Sequence, residues 1–290
     1  MTRFLDVRLQ NVGGDLAPSV AINQGVDLAS YTSLGKTQLL NDIAGQHVLI
    51  ATHGYNVDRA AGIASLSNWA RQLQLPPQSV FVGLLWPGDS VWGHGLDYPE
   101  EPRFANDAGD LLGPFLDDTF SNAATLSFAS HSLGARVVMR TLSKVSRRAR
   151  GAMLMAGAID DDCLTNEFQA AAARVDAISV LASRGDQVLS TLFPLGNFLG
   201  GILTDGHPWF RGALGLTGPA QPRPANFQAP FQIPDNWNYN HCNYLEIDSA
   251  PTPVIPLPAS VPPNGSPKPA AGAAGWQSAW SAAVCSTRFP

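Results

Sequence analysis

"SFASHSLGARVVMR", Ser127 to Arg140, reads as an apolar strand that turns sharply at Ser132 and enters a helix. Ser130 and Gly134 stand two residues before and two after Ser132. Small residues at both positions let strand and helix come close, as a tight strand–turn–helix requires. A strand feeding directly into a helix of ten or more residues is one half of a βαβ unit, and implies a parallel sheet.

The same alternation extends to either side. "HVLIATHG" (His47 to Gly54) is a continuous apolar run closed by glycine, as expected of a strand buried on both faces. Ile63, Leu66, Trp69, Ala70 and Leu73 then repeat at helical spacing, and "SVFVGLLWPGD" is a second buried strand. A helix follows from about Phe104 to Phe120, with a kink or break expected at Pro114. Beyond the Ser132 turn, a helix from Leu133 to about Arg150 ends in "SRRAR", where cations suit the helix dipole. "GAMLMAGAID", a helix from Cys163 to Ala173, and "VDAISVLAS" complete the series. The fold class is therefore α/β, a doubly wound, mostly parallel sheet whose ligands bind at the carboxyl ends of the strands. Residues 1–45 alternate only weakly and read as edge strands with loops.

From Ser190 to about Pro234 the periodicity fails, in a stretch rich in glycine, proline and large apolar residues. Long irregular segments in compact domains are usually functional, and this one reads as a cap or pocket wall. Residues 1–250 are thus expected to form one domain with that insertion, and 251–290 a Pro/Ala-rich arm and tail.

Bulk composition narrows the possibilities. The 290 residues are 45% hydrophobic and 14% charged, with a formal net charge of −5. No basic cluster is dense enough for a nucleic-acid surface, and no stretch approaches the roughly 20 apolar residues of a membrane span. The six histidines and three cysteines show no metal-ligand spacing. The N-terminus lacks a signal-peptide run, which favours a cytoplasmic compartment while leaving a secreted mature form open. Oligomeric state is not legible.

The chemistry starts at Ser132. Serine nucleophiles on such turns carry the pattern G-x-S-x-G, and here the pattern is S-x-S-x-G. "HVLIATHGYNVD", "LLWPGD", "SFASHSLGARVV" and "ISVLASRGDQVLS" together resemble a family of α/β-hydrolases of unassigned function, akin in fold to lipases and esterases. The likeness runs from His47 to Ser190. It implies an α/β-hydrolase fold and a serine hydrolase, with the acid in "SRGDQVL".

Acyl transfer also needs two N–H donors for the developing oxyanion. Leu133, next after the serine, is one; Tyr55 in "HGYN" is the other, with Gly54 admitting a close backbone approach and His53 bracing the loop. In this fold the chain order is serine, acid, histidine. The acids after Ser132 that follow strands are Asp160 to Asp162 and Asp186. Asp186 is favoured, since the earlier cluster also reads as a helix cap. Of the two later histidines, His207 lies in the irregular segment and His241 near the last strand, where the base belongs. Trp86, Trp92, Phe193 and Trp209 are candidate walls of an apolar substrate pocket. The expected activity is carboxylic ester hydrolysis on a Ser132–His241–Asp186 triad without a cofactor. The alternatives are amide or thioester cleavage on the same scaffold, or a hydrolase-like binding protein.

Overall fold

Val48–Thr52 are all buried, and their strand is hydrogen-bonded on both sides, which accounts for the unbroken apolar run. The computed structural model describes residues 1–13, 15–73, 75–89, 101–191, 212–228, 231–233, 235 and 239–244. Its strands are β1 (Thr2–Arg8), β2 (Leu16–Gly25), β3 (Thr32–Ser33), β4 (His47–Thr52), β5 (Ser79–Leu85), β6 (Thr125–His131), β7 (Ala149–Met155), β8 (Val175–Ala182) and β9 (Phe231–Gln232). They form one sheet in the order β3-β2-β1-β5-β4-β6-β7-β8-β9. β1 and β3 to β9 all run in one direction, and only β2 runs against them, pairing antiparallel with β1 and β3 at one edge. This is the α/β-hydrolase fold expected from the sequence.

The main helices are α1 (Lys36–Ile43), α2 (Arg59–Gln72), α3 (Glu101–Thr119) and α4 (Gly134–Lys144). Asp58 caps α2, its carboxylate accepting from Ala61 N–H at 2.7 Å. α4 buries Ala135, Val137, Val138, Met139 and Leu142, and α3 lies against it. The two helices come close at Gly109 and Gly113, where a Cβ would collide with Arg140 and Lys144. A bidentate Arg140–Asp110 pair, at 2.6 and 2.8 Å, closes the same contact.

Several sequence expectations need correction. Residues 36–43 form α1, and β1 is an inner strand between β2 and β5, since its apolar residues meet neighbours on both sides. α3 runs through Pro114 without a break. α4 ends at Lys144, so "SRRAR" lies in the following turn and the start of β7. There Arg147 donates to the carbonyls of Phe120 and Ala123. Of the helix expected over 163–173, only Gln169–Ala172 is helical.

The chain order places the site. From β4 the chain moves outward to β5, then crosses back over β4 to β6. The connections reverse direction between β4 and β6, and a crevice opens at the carboxyl ends of strands flanking such a point. "HGYN" follows β4 there, and Ser132 follows β6.

Residues 212–228 pack alongside β7 and β8. Leu214 N–H donates to Ile159 O and Gly215 N–H to Gly157 O, while Ser183 N–H donates to Gly215 O. Of the expected cap, residues 192–211, 229–230 and 234, and likewise the 251–290 arm, lie outside the described residues. Among the described residues no helix is long and apolar enough to cross a membrane.

Candidate active site

Ser132 is the first residue after β6 and has φ = 53°, a left-handed conformation that a non-glycine residue adopts at a cost. Its backbone is tied to the last residue of β7 and to the loop that follows it. Ser132 N–H donates to Met155 O at 2.9 Å, and Ser132 O accepts from Ala158 N–H at 3.1 Å. Gly134 is required by contact, since a Cβ there would stand 2.4 Å from His53 O. Ser130, in place of the usual glycine, is fully buried in the strand, its hydroxyl 3.5 Å from Met153 O. The sheet accommodates it, and the turn forms without the first glycine.

The three polar groups singled out from the sequence meet at this turn. His241 Nε2 is 2.8 Å from Ser132 Oγ, across 109 residues of sequence. His241 Nδ1 is 2.7 Å from Asp186 Oδ2. Asp186 is fully buried, and its other oxygen accepts from Leu189 N–H at 2.9 Å. The carboxylate is thus fixed at both oxygens. An ionised carboxylate accepts only, so His241 Nδ1 carries the hydrogen and Nε2 presents a lone pair to the serine hydroxyl. The carboxylate that meets His241 is that of Asp186 rather than the Asp160–Asp162 cluster. Around that cluster the chain turns, with Cys163 N–H donating to Asp160 O and Asn166 Nδ2 to the Asp162 carboxylate.

Across from Ser132, Gly54 brings the "HGYN" turn into contact with it. A Cβ on Gly54 would lie 2.7 Å from Ser132 Cβ. Tyr55 follows directly, and Leu133 occupies the N-cap of α4, where the N–H groups lack intrahelical partners. His53 braces the turn. Its Nδ1–H donates to Gly54 O at 2.9 Å, and its Nε2 accepts from Trp86 N–H at 3.3 Å. Trp86 stacks on the His53 ring and donates through its indole to His53 O at 3.0 Å. It is fully buried, so Trp86 belongs to the core behind the turn rather than to an open pocket wall. Trp92, Phe193, Trp209 and the rival base His207 lie outside the described residues.

Two features were not read from the sequence. The first is His131, the middle residue of S-x-S, whose Nε2 lies 2.8 Å from the His241 carbonyl. The second is Arg8, which has no exposed side-chain surface. Its guanidinium donates to the carbonyls of Val57 and Trp86, both at 2.9 Å, and to the Asp89 carboxylate. It thereby joins the ends of β1 and β5 to the turn carrying Tyr55. Asn56 N–H donates to Gly88 O at 2.5 Å, and Arg59 pairs with Asp6 at 3.0 Å, tightening the same junction.

A family model described as "Alpha/beta hydrolase of unknown function (DUF900)" matches residues 32–202, more than half of the chain. The chain belongs to this family. No curated protein is matched by this α/β-hydrolase. Among solved structures it is similar to esterase PE8, at 14% identity and TM-score 0.36, over 67% of this chain and 88% of that one. A structure titled for LipS and LipT, two metagenome-derived lipolytic enzymes, aligns at 11% identity and TM-score 0.38, over 70% and 88%. Carboxyl esterase 2 from Tuber melanosporum aligns at 11% identity and TM-score 0.31, over 81% and 82%.

Burial sets the charge of two histidines. Desolvation lowers both His53 and His131 from 6.5 to about 3, so both rings are neutral in the folded hydrolase at pH 7. In the unfolded chain they titrate near 6.5. Below that pH the unfolded state binds more protons than the native one, so stability present above pH 6.5 is lost as pH falls towards 3. At pH 5 each ring accounts for a loss of about 2 kcal/mol. Urea unfolding at pH 7.5 and pH 5.0 should show a clear fall in midpoint. An unchanged midpoint would contradict neutral burial of these rings.

Proposed function

We propose that this α/β-hydrolase cleaves carboxylic esters through an acyl-enzyme on Ser132, with His241 as general base and Asp186 as its orienting acid. The observation that carries this reading is the unbroken chain of hydrogen bonds from Ser132 Oγ through His241 to Asp186, at 2.8 and 2.7 Å. Nucleophile, base and orienter within hydrogen-bond reach is the arrangement that activates a serine hydroxyl.

In this mechanism Ser132 Oγ attacks the ester carbonyl carbon as His241 Nε2 takes the hydroxyl proton. The carbonyl oxygen becomes an alkoxide, held by the N–H groups of Tyr55 and Leu133. Expulsion of the alcohol follows, His241 returning the proton to the leaving oxygen, and Ser132 is left acylated. Water then attacks the acyl carbon, with His241 again taking and returning the proton, and the carboxylic acid leaves. Asp186 holds the Nδ1–H tautomer throughout and stabilises the imidazolium. No cofactor enters any step.

The test is hydrolysis of p-nitrophenyl esters from acetate to palmitate, alongside matched amides, by the wild type and Ser132→Ala. Turnover of esters that vanishes in the variant is the expected result, and the chain-length optimum separates an esterase from a lipase. Amides cleaved in preference to esters, or ester turnover that survives in Ser132→Ala, would overturn the assignment.

A further inference from the structure

The proposed base, His241, sits on the short 3-10 helix His241–Tyr244 rather than on a strand or long helix. Something other than regular secondary structure must therefore hold it against a serine 109 residues earlier in the chain. Two described side chains grip the residue itself. Asp186 holds its ring at Nδ1, and His131 holds its backbone, with Nε2 2.8 Å from His241 O. Nearby, Ser183 Oγ donates to Tyr239 O at 2.6 Å, and Tyr239 packs edge-on against Tyr244 with ring centroids 5.0 Å apart.

His131 lies between the base, the nucleophile turn and the turn carrying Tyr55. Its backbone adjoins Ser132, so any movement of its ring is referred to the nucleophile turn. Its ring centroid is 4.8 Å from that of His241 and 6.0 Å from that of Tyr244. On the other side it meets the oxyanion turn, where a Cβ on Gly54 would stand 3.1 Å from His131 Nδ1. A carbonyl oxygen only accepts, so Nε2 must carry the hydrogen. Burial keeps the ring neutral, which preserves one defined donor and places no second cation beside the imidazolium that forms on His241.

We infer that His131 is a positioning residue, whose Nε2–H clamps the backbone of His241 and holds that imidazole in register with Ser132 Oγ. The inference rests on reading Ser132 and His241 as nucleophile and base. Displacement of a reacting group by about 1 Å is worth on the order of 10²-fold in rate. Loss of the clamp is thus expected to lower kcat by roughly 10–100-fold while KM stays within about twofold.

Two variants separate the hydrogen bond from the packing. His131→Leu keeps apolar volume and removes the donor. His131→Gln keeps an N–H at the reach of Nε2. Two readouts are compared in the full chain, after thermal unfolding has verified that each variant folds. One is the rate at which a fluorophosphonate labels Ser132, and the other is the low-field proton resonance of His241 Nδ1–H. His131→Leu should label about 10–100-fold more slowly and shift or broaden that resonance, and His131→Gln should restore most of both. Labelling of His131→Leu at the wild-type rate with the resonance unmoved would overturn the inference, as would equal impairment of the two variants. Wild-type protein that does not label at Ser132 would instead sink the nucleophile reading, and the resonance would still decide whether His131 orients His241.

Discussion

Asp186→Asn is expected to lower kcat for ester hydrolysis by on the order of 10⁴-fold while leaving KM within a few-fold. The reason is a tautomer. Leu189 N–H donates to Asp186 Oδ1 at 2.9 Å, and this fixed donor would claim the carbonyl oxygen of an asparagine amide. The amide nitrogen would then face His241 Nδ1, where the carboxylate oxygen now lies at 2.7 Å. Nδ1 would have to accept, the ring hydrogen would move to Nε2, and Nε2 could no longer take the proton of Ser132. The substitution is nearly isosteric, so thermal stability should fall far less than activity. Steady-state kinetics with a p-nitrophenyl ester measures the effect, and a loss under tenfold would remove Asp186 from the proposed triad.

Arg8→Met carries the largest expected cost in stability. The Arg8 guanidinium is wholly buried and serves Asp89, Val57 and Trp86 together. Breaking a buried ion pair from one side strands the other charge, at about 3–5 kcal/mol. For a domain of this size the melting temperature should drop by about 6–20 °C. The double variant Arg8→Met with Asp89→Leu should recover part of this, since no charge is then left buried. Recovery should be incomplete, because the carbonyls of Val57 and Trp86 still lose their donor. Denaturant melts of the single and double variants decide it, and a single-variant loss under 1 kcal/mol would show that Arg8 does not brace the junction.

Local signals carried the fold. The run of β4 and the strand–turn–helix at Ser132 are legible because period and composition change within a few residues, and both strands pair on two sides. Ser132, Asp186 and His241 were singled out because a doubly wound sheet delivers successive strand ends to one edge in a fixed order. α1 was overlooked because eight residues with two buried positions, Leu39 and Ile43, offer little periodicity. β1 was placed at an edge because weak alternation does not reveal its parallel pairing with β5, more than seventy residues later.

The bracing residues were hidden for a different reason. Arg8 reads as an exposed cation at a strand end, and its burial depends on carbonyls and a carboxylate supplied by two later turns. His131 occupies a motif position that admits any side chain. The hydrogen-bond partner of its ring is the carbonyl of residue 241, 110 positions on. Trp86 shows the converse, where an aromatic next to a turn was read as pocket wall and the structure uses it to hold His53.

The most direct test of a nucleophilic Ser132 is to react the protein with a fluorophosphonate and locate the added mass by peptide mass spectrometry. The adduct should fall on Ser132, be absent from Ser132→Ala, and form far more slowly in His241→Ala. An adduct on another residue, or ester turnover by a protein whose Ser132 stays unmodified, would contradict it.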